Sequence, residues 1–419
     1  MSITKIDELA IDNPKKETRN LELWWGDVSN ISSKEATDFL VVSYVPGSTS
    51  PFCPNSVGGS LVSNGLNLST LGVSKDYWSA MPIVISNTIP STPGIEFGRI
   101  LYFAPSISGF KTGEAAPYQS DFIFRALDCF QAGAPTSVTM PLVSCGTLTG
   151  AGQGNPSTML RMLFHSACKW GGKEDFKLNT IRIVLHSKSV ALANEFADMK
   201  KNYLNLINSS NYPTMPPSYG MKYTDYANNT LTWIKKNKGA GWPDKISDLQ
   251  VFGIHMYTTS YFHAMNDNLR LTNKKLPAPG GIGYTDLNNP LFEQLQPLLA
   301  VTSAGLMNLP KFAGPTFRGI DIPLWNPFKV GSSLRILSYM SSSAPMTPVT
   351  AGHTVLITSN SINSRNISYY SKNPPEKEHV YDKGTEENVT SHVSTPKINI
   401  GVDEIDHKYC TGGHKIKKL

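Results

Sequence analysis

Residues 208–220 read NSSNYPTMPPSYG, a turn-forming stretch with three prolines, and the hydrophobic pattern differs on its two sides. Proline removes a backbone donor and biases the residue before it away from helix, so no regular element runs through such a stretch. At roughly 150 residues per domain, 419 residues have room for two to three domains. The break therefore predicts a linker, at 208–220, between two separate cores.

Upstream of it, apolar runs alternate with helical spacing. LELWWGDVSN (21–30) and TDFLVVSYVP (37–46) read as strand, turn, strand; further runs are GRILYFA (98–104), VTMPLVSC (138–145) and TIRIVLH (180–186). Nearly continuous apolar runs suit strands buried on both faces. Between them Phe122, Ala126 and Phe130, then Met159, Met162, Phe164 and Ala167, recur at helical steps. Leu192, Phe196, Met199, Tyr203 and Leu206 follow at steps of 4, 3, 4 and 3. The alternation predicts a layered α/β domain over 21–207, after an N-terminal segment 1–20.

Downstream the order changes. Residues 224–238, 258–271 and about 290–308 carry helical spacing, with Tyr261, Met265 and Leu269 on one face of the second. From about 315 the chain is short β-like runs: TFRGI, LRILSYMSSS, HTVLITSN, EKEHVYD, EENVTSHV and INIGVDEI. Helices followed by strands predict an α+β domain over 221–407, with a basic tail at 408–419.

Charge and cysteine content narrow the function classes. Lys and Arg number 38 against 32 Asp and Glu, and +6 is too small for a chain built to neutralise the phosphates of a nucleic acid. The longest apolar runs, such as FLVVSYV, fall far short of the ~20 residues of a membrane helix. The start, MSITKIDELAIDNPKKETRN, lacks the apolar core of a secretory signal. Five scattered cysteines (Cys53, Cys129, Cys145, Cys168, Cys410) fit reduced thiols better than a disulfide frame. The expectation is a cytoplasmic protein, or one delivered into a target cell without a signal sequence. Cys410-x3-His414 is half a metal site without its other half, and no metal is expected. His255 and His263 read as one helical segment, too far apart to ligate together.

In PPEKEHVYDKGTEENV, Glu376 and Glu378 stand two residues apart where a strand is expected to begin. Period 2 would put both carboxylates on one face. Like charges that close are unfavourable unless a cationic ligand, a transition state or an arginine uses them. A solvated strand edge is the plain alternative, and Lys377 between them permits it. Upstream stand Arg318-Gly319 in one strand and Ser341-Ser342-Ser343 at the end of another. A strand arginine suits bidentate phosphate contact, and a serine can orient a nearby carboxylate or ribose.

Arginine, serine and glutamate in this order, 23 and 35 residues apart, resemble the arginine–serine–glutamate class of mono-ADP-ribosyltransferases. IHMYTTSYFHAMNDNLR (254–270), FRGI, LSYMSSS, NISYYSKNPPEKEHVY and DKGTEENV follow in that family's order, so the resemblance covers roughly 222–405. It implies helices followed by a split β-sandwich around an NAD cleft. Arg318 would bind NAD, with Gly319 and Ser343 beside it. Ser341 would order the pocket and the second glutamate. Glu378 would hold the nicotinamide ribose and stabilise positive charge on it. Glu376 would engage the acceptor, and a glutamate at that place implies arginine. Two departures stand out: Lys372-Asn373-Pro374-Pro375 replaces an aromatic before the first glutamate, with Tyr369 and Tyr370 further back, and APMTPVTAGHTVLI lacks a helical phenylalanine.

The N-terminal half resembles macrodomains, which bind ADP-ribose, through LELWWGDVSN, NSVGGSLV and MPLVSCGTLTGAG. That resemblance implies that Asp27 reads adenine and that Gly58 and Gly59 face the ribose. The backbone around Ser144, Gly146 and Gly150 would wrap the phosphates, since amides of Gly-rich turns approach an anion closely. The alternative is that these turns are only turns. Together the two halves imply an NAD-dependent mono-ADP-ribosyltransferase, a glycosyltransferase acting on a protein acceptor, in a bacterial toxin, effector or defence protein. Two alternatives are an NAD glycohydrolase and an ADP-ribose- or NAD-binding protein with a relic transferase half.

Overall fold

The computed structural model describes residues 3–29, 31–44, 56–78, 81–92, 94–104, 116–130, 136–143, 156–207, 222–239, 245–270, 290–320, 330–331, 333–336, 338–344, 354–361, 363–382, 385–394 and 398–404. The expected linker (208–220) and tail (408–419) lie outside them. So do Ser144, Gly146, Gly150 and the Cys410/His414 pair. The chain divides into two compact units, Met1–Leu204 and Asn205–Asp406.

The first unit holds strands β1 (Thr4–Ala10), β2 (Asn20–Trp25), β3 (Thr37–Ser43), β4 (Val73–Asp76), β5 (Ile83–Ser86), β6 (Phe97–Phe103), β7 (Ser137–Pro141) and β8 (Thr180–Leu185). Its helices are α1 (Val57–Ser63), α2 (Ala116–Cys129), α3 (Pro156–Gly171) and α4 (Val190–Leu204). The strands form one sheet in the order β1-β2-β8-β7-β3-β6-β5-β4. Strands β2, β8, β7, β3 and β6 run parallel to one another, and β1, β5 and β4 pair antiparallel at the two edges.

Alternation along β3 explains how this sheet is covered on both faces. Leu40 and Val42 join a buried cluster with Ile100, Tyr102, Val184, Leu61 and Leu66. Phe39 instead meets Phe130 edge-on at 5.4 Å. Each such side chain, fully buried, contributes about 1.5–3 kcal/mol. The expected leading segment 1–20 is not separate from the domain: Thr4–Ala10 is strand β1. Its charged residues hide it from a hydrophobic reading, but its ladder to β2 and the buried Leu9 hold it in the sheet, with ion pairs alongside. Lys5 bonds Glu22 of β2 at 2.8 Å, and Asp7 accepts from Lys200 of α4 at 2.7 Å.

The second unit opens with α5 (Tyr223–Asn237), α6 (Asp248–Tyr257), α7 (Phe262–Arg270) and α8 (Pro290–Asn308). Strands follow: β9 (Gly314–Ile320), β10 (Ser333–Ile336), β11 (Met340–Ser343), β12 (Thr354–Ser361), β13 (Arg365–Asn366), β14 (Glu378–Tyr381), β15 (Thr385–Ser394) and β16 (Ile398–Glu404). Within this unit, spacing misses helix α6. Every residue from Gln250 to Tyr257 is buried, so DLQVFGIHMY has no polar face and no 3.6-residue signal. His255 and His263 accordingly stand on different helices, α6 and α7, and not on one segment.

Helix α6 is fixed firmly. Ser247 and Gln250 form a reciprocal capping box at its start. Gln250 also accepts from Asn308 Nδ2 at 3.0 Å. Against α8 the backbones approach at glycines: a Cβ on Gly253 would lie 2.6 Å from Thr302 Oγ1, and one on Gly305 would lie 3.0 Å from Ile254 Cδ1.

The strands of this unit run β10-β15-β16-β12-β9-β11-β14-β13 in one hydrogen-bonded sheet. The expected split into two sheets is thus a narrowing, not a gap. Strand β9 pairs with β12 along its length but with β11 through the single register pair Ser343↔Phe317. That junction is where Arg318, the serines and Glu378 lie.

Candidate active site

Strand β11 is MSSS, and its neighbour β14 is EHVY. Their antiparallel register sets Ser341 opposite Val380, Ser342 opposite His379 and Ser343 opposite Glu378. Ser341 and Glu378 are therefore diagonal neighbours on one face, within side-chain reach. The Ser341 hydroxyl donates to Glu378 Oε1 at 2.6 Å. Ser342 and Ser343 are buried on opposite faces of β11, Ser342 Oγ donating to the His379 carbonyl at 3.1 Å and Ser343 Oγ to that of Phe317 at 3.5 Å.

Arg318, on β9, is half-buried and donates through a guanidinium nitrogen to the Ser341 carbonyl. Gly319 follows it on the same strand, opposite Val355 of β12. Residues 318, 341 and 378, far apart in sequence, thus form one connected chain of contacts across three adjacent strands.

Glu378 is 9% exposed. Burial pushes its carboxyl up to about 7; the Ser341 hydrogen bond opposes the rise, Glu376 adds to it, and Arg318 opposes it. Near neutrality the group is poised between its two protonation states, a condition frequent among catalytic carboxyls. A cationic ligand beside it would favour the carboxylate.

The expectation that Glu376 and Glu378 share a strand face is corrected. The strand begins at Glu378, while Glu376 ends a 3-10 turn, Pro374–Glu376. Lys377 between them is left-handed, with φ 47° and ψ 50°, so period 2 does not apply across it. For a non-glycine residue that conformation costs roughly 1–2 kcal/mol. Two consecutive prolines, whose φ is preset for a tight turn, favour the turn that imposes it. Glu376 is exposed, and Asn373 Nδ2 donates to its Oε1 at 3.4 Å. The two carboxylates still sense each other, as the rise at Glu378 records.

Behind the site, Tyr339 immediately before β11 and Asp382 immediately after β14 anchor the strand pair to α8. The Tyr339 hydroxyl donates to the Leu299 carbonyl at 2.7 Å, and Ser303 donates to Asp382 Oδ1 at 2.6 Å. These residues carry no sequence signal of their own, because their partners are 40 and 79 positions away.

In the first unit, Asp27 follows β2 and is exposed. Its Oδ1 accepts from the Ser29 amide (2.9 Å) and hydroxyl (2.7 Å), closing a local turn. Gly58 and Gly59 are buried in the first turn of α1, where the Gly59 amide donates to Ser56 Oγ at 3.1 Å. Asn64, just beyond α1, donates to the Ser29 carbonyl at 3.2 Å and so joins the two segments. Among the described residues no cluster of three or more His, Cys, Asp or Glu side chains could hold a metal ion. None of the described helices is long and apolar enough to cross a membrane.

No family model and no curated protein sequence matches the chain. Among solved structures it is similar to the type III effector XopAI from Xanthomonas axonopodis pv. citri, at 15% identity and TM-score 0.33, over 50% of this chain and 83% of that one. The ADP-ribosyltransferase HopU1 of Pseudomonas syringae pv. Tomato DC3000 is 16% identical with TM-score 0.35, over 49% of this chain and 97% of that one. Exoenzyme S from Pseudomonas aeruginosa, bound to carba-NAD, is 17% identical with TM-score 0.35, over 52% and 94%. Likeness at these scores decides nothing about chemistry, which rests on the side chains.

Proposed function

We propose that residues 205–406 cleave NAD at the nicotinamide–ribose bond and transfer ADP-ribose to a protein acceptor, an arginine side chain. The observation that carries this reading is the Arg318–Ser341–Glu378 chain of contacts, which ends on a buried carboxyl. As the ribose–nitrogen bond breaks, its electron pair leaves with nicotinamide and positive charge develops on the sugar. A fixed carboxylate stabilises that charge more in the transition state than in the ground state. Glycosidases meet the same demand with carboxylates. Arg318 supplies a guanidinium for the pyrophosphate, with Gly319 and Ser343 beside it. A guanidine nitrogen of the acceptor then bonds to the ribose carbon, and the proton it loses passes to Glu376. The scheme needs NAD as a substrate, and nicotinamide departs as a neutral ring without help from a metal. It suits a compartment that holds NAD, the cytoplasm of the producing cell or of a target cell.

The test is incubation of purified protein with NAD labelled on its adenine, alone and in a cell lysate. Free nicotinamide together with label on arginine of a lysate protein is the expected result. Free ADP-ribose without any adduct would assign a glycohydrolase instead. No nicotinamide release at all would overturn the reading and leave a binding protein.

For the first unit we infer ADP-ribose binding. Strands β2 and β3 run parallel, so Asp27 and the Gly58-Gly59 pair follow strand ends on the same edge of the sheet. After β3 the chain forms β4, β5 and β6 on one side of it, then crosses to β7 and β8 on the other. Open α/β sheets bind ligands at such a switch point, beyond the carboxyl ends of the strands. In sequence, Ser144, Gly146 and Gly150 come just after β7. Calorimetry with ADP-ribose is expected to show binding that Asp27→Ala weakens about tenfold, the scale of one lost charge-assisted hydrogen bond. Absence of heat with the unaltered protein would refute this assignment.

A further inference from the structure

Glu378 is held by a strand ladder, whereas Glu376 ends a turn that owes its place to other groups. The segment leading to it, Ser368–Glu376, is tethered to helix α6 at two points. His255 Nδ1 lies 2.8 Å from the Tyr370 carbonyl. A carbonyl only accepts, so Nδ1 carries the proton in this contact. One turn later the Thr258 hydroxyl oxygen accepts from the Lys372 amide at 3.0 Å. The His255 ring itself is buried and lies nearly parallel to Trp233 of α5, with centroids 4.1 Å apart and planes at 19°. From Lys372 the link continues locally: the Asn373 amide donates to Ser371 Oγ at 3.0 Å, and Asn373 reaches Glu376.

Helix α6 is a stiff reference for such a tether, since it is capped, buried from Gln250 to Tyr257 and packed on α8 at glycines. The same α8 anchors the strands of Glu378 through Ser303 and Leu299. One helix pair therefore sets the positions of both carboxylates, α8 for the one on the strand and α6 for the one on the turn.

We propose that His255, braced by Trp233, is a positioning residue that fixes the turn bearing Glu376 and thereby directs the ribose to a guanidine acceptor in preference to water. This rests on the transferase reading of the site. Its tethering atoms lie in α6, in the Thr258 that caps its end and in the 368–372 segment, and none belongs to a residue assigned to NAD above. Loss of the tether should therefore loosen acceptor handling while leaving bond cleavage intact.

Nicotinamide release in water and transfer to a small guanidine acceptor, agmatine, are measured in parallel for three variants and the unaltered protein. His255→Leu keeps bulk without the donor, and His255→Asn places an amide donor where Nδ1 stood. Thr258→Val removes the second tether at nearly constant volume. His255→Leu is expected to lower the transfer-to-release ratio about 10-fold to 100-fold, the scale set by misplacement of a reacting group by about 1 Å. Release itself should stay within about twofold, His255→Asn should recover most of the ratio, and Thr258→Val should shift it in the same direction. A ratio unchanged in both His255→Leu and Thr258→Val overturns the inference, as does a proportional fall in both activities with no rescue by Asn. If the unaltered protein releases no nicotinamide, the transferase reading itself fails and this inference falls with it. Should His255→Leu not fold, the Thr258→Val ratio decides alone.

Discussion

Glu378→Gln is expected to lower nicotinamide release by about 10²–10³-fold, the cost typical of removing one fixed group that stabilises transition-state charge. The substitution keeps the side chain's size and an oxygen for the Ser341 hydroxyl, so the loss reports charge and not collapse of the strand pair. In the unaltered protein, release at limiting NAD should climb about tenfold per pH unit below the carboxyl's pKa and level off above it. That pKa is about 7. The same group makes an opposite statement about stability. Burial raises its folded pKa above the ordinary 4.5, so the unfolded chain gives up this proton first as pH rises. Stability is therefore lost progressively between about 4.5 and about 7, and the loss is complete above that range. Glu378→Gln escapes it and should be more stable by about 3 kcal/mol at pH 8, with the difference vanishing at pH 4. Urea denaturation at the two pH values measures this directly. Undiminished NAD cleavage by the variant would remove Glu378 from the chemistry altogether.

The second large effect is a split between activities. Glu376→Gln is expected to lose about 10²-fold or more in transfer to arginine while retaining nicotinamide release. An arginine keeps its proton far above neutral pH, so a carboxylate on the acceptor side both orients the guanidinium and takes the proton as the new bond forms. Glu376 sits exposed at the end of its turn, apart from the buried Ser341–Glu378 contact. Its removal should leave the Glu378 carboxyl in place on the ribose side, with its pKa drawn down as the neighbouring charge goes. Nicotinamide and labelled acceptor measured on the same samples check the split. Equal loss of both would show that the two carboxylates act as one unit.

The strands were the most legible part of the fold. Each of the six β-like runs after residue 315 contains a strand, LRILSYMSSS two of them, and so does each apolar run of the first unit, because a strand's burial is written in its own few residues. Reading failed where that local rule fails. Strand β1 is charged and takes its place through its ladder to β2, and α6 is buried from Gln250 to Tyr257. The candidate site was legible as residue types in order, Arg318, Ser341, Glu376 and Glu378. Its geometry was not: Lys377 in the left-handed region takes Glu376 off the strand that period 2 would have given it.

By itself, the sequence determined two differently built halves around a proline-rich break, and it singled out the residue types able to manage charge on a ribose. Only the tertiary structure decided that Glu378 is buried against Ser341 with its pKa near neutrality, and that Glu376 stands on a turn tethered to α6. The physical reason is range. Strand and turn propensities act over a few neighbouring residues, whereas burial, and the contact between His255 and Tyr370 across 115 positions, exist only once the chain has packed.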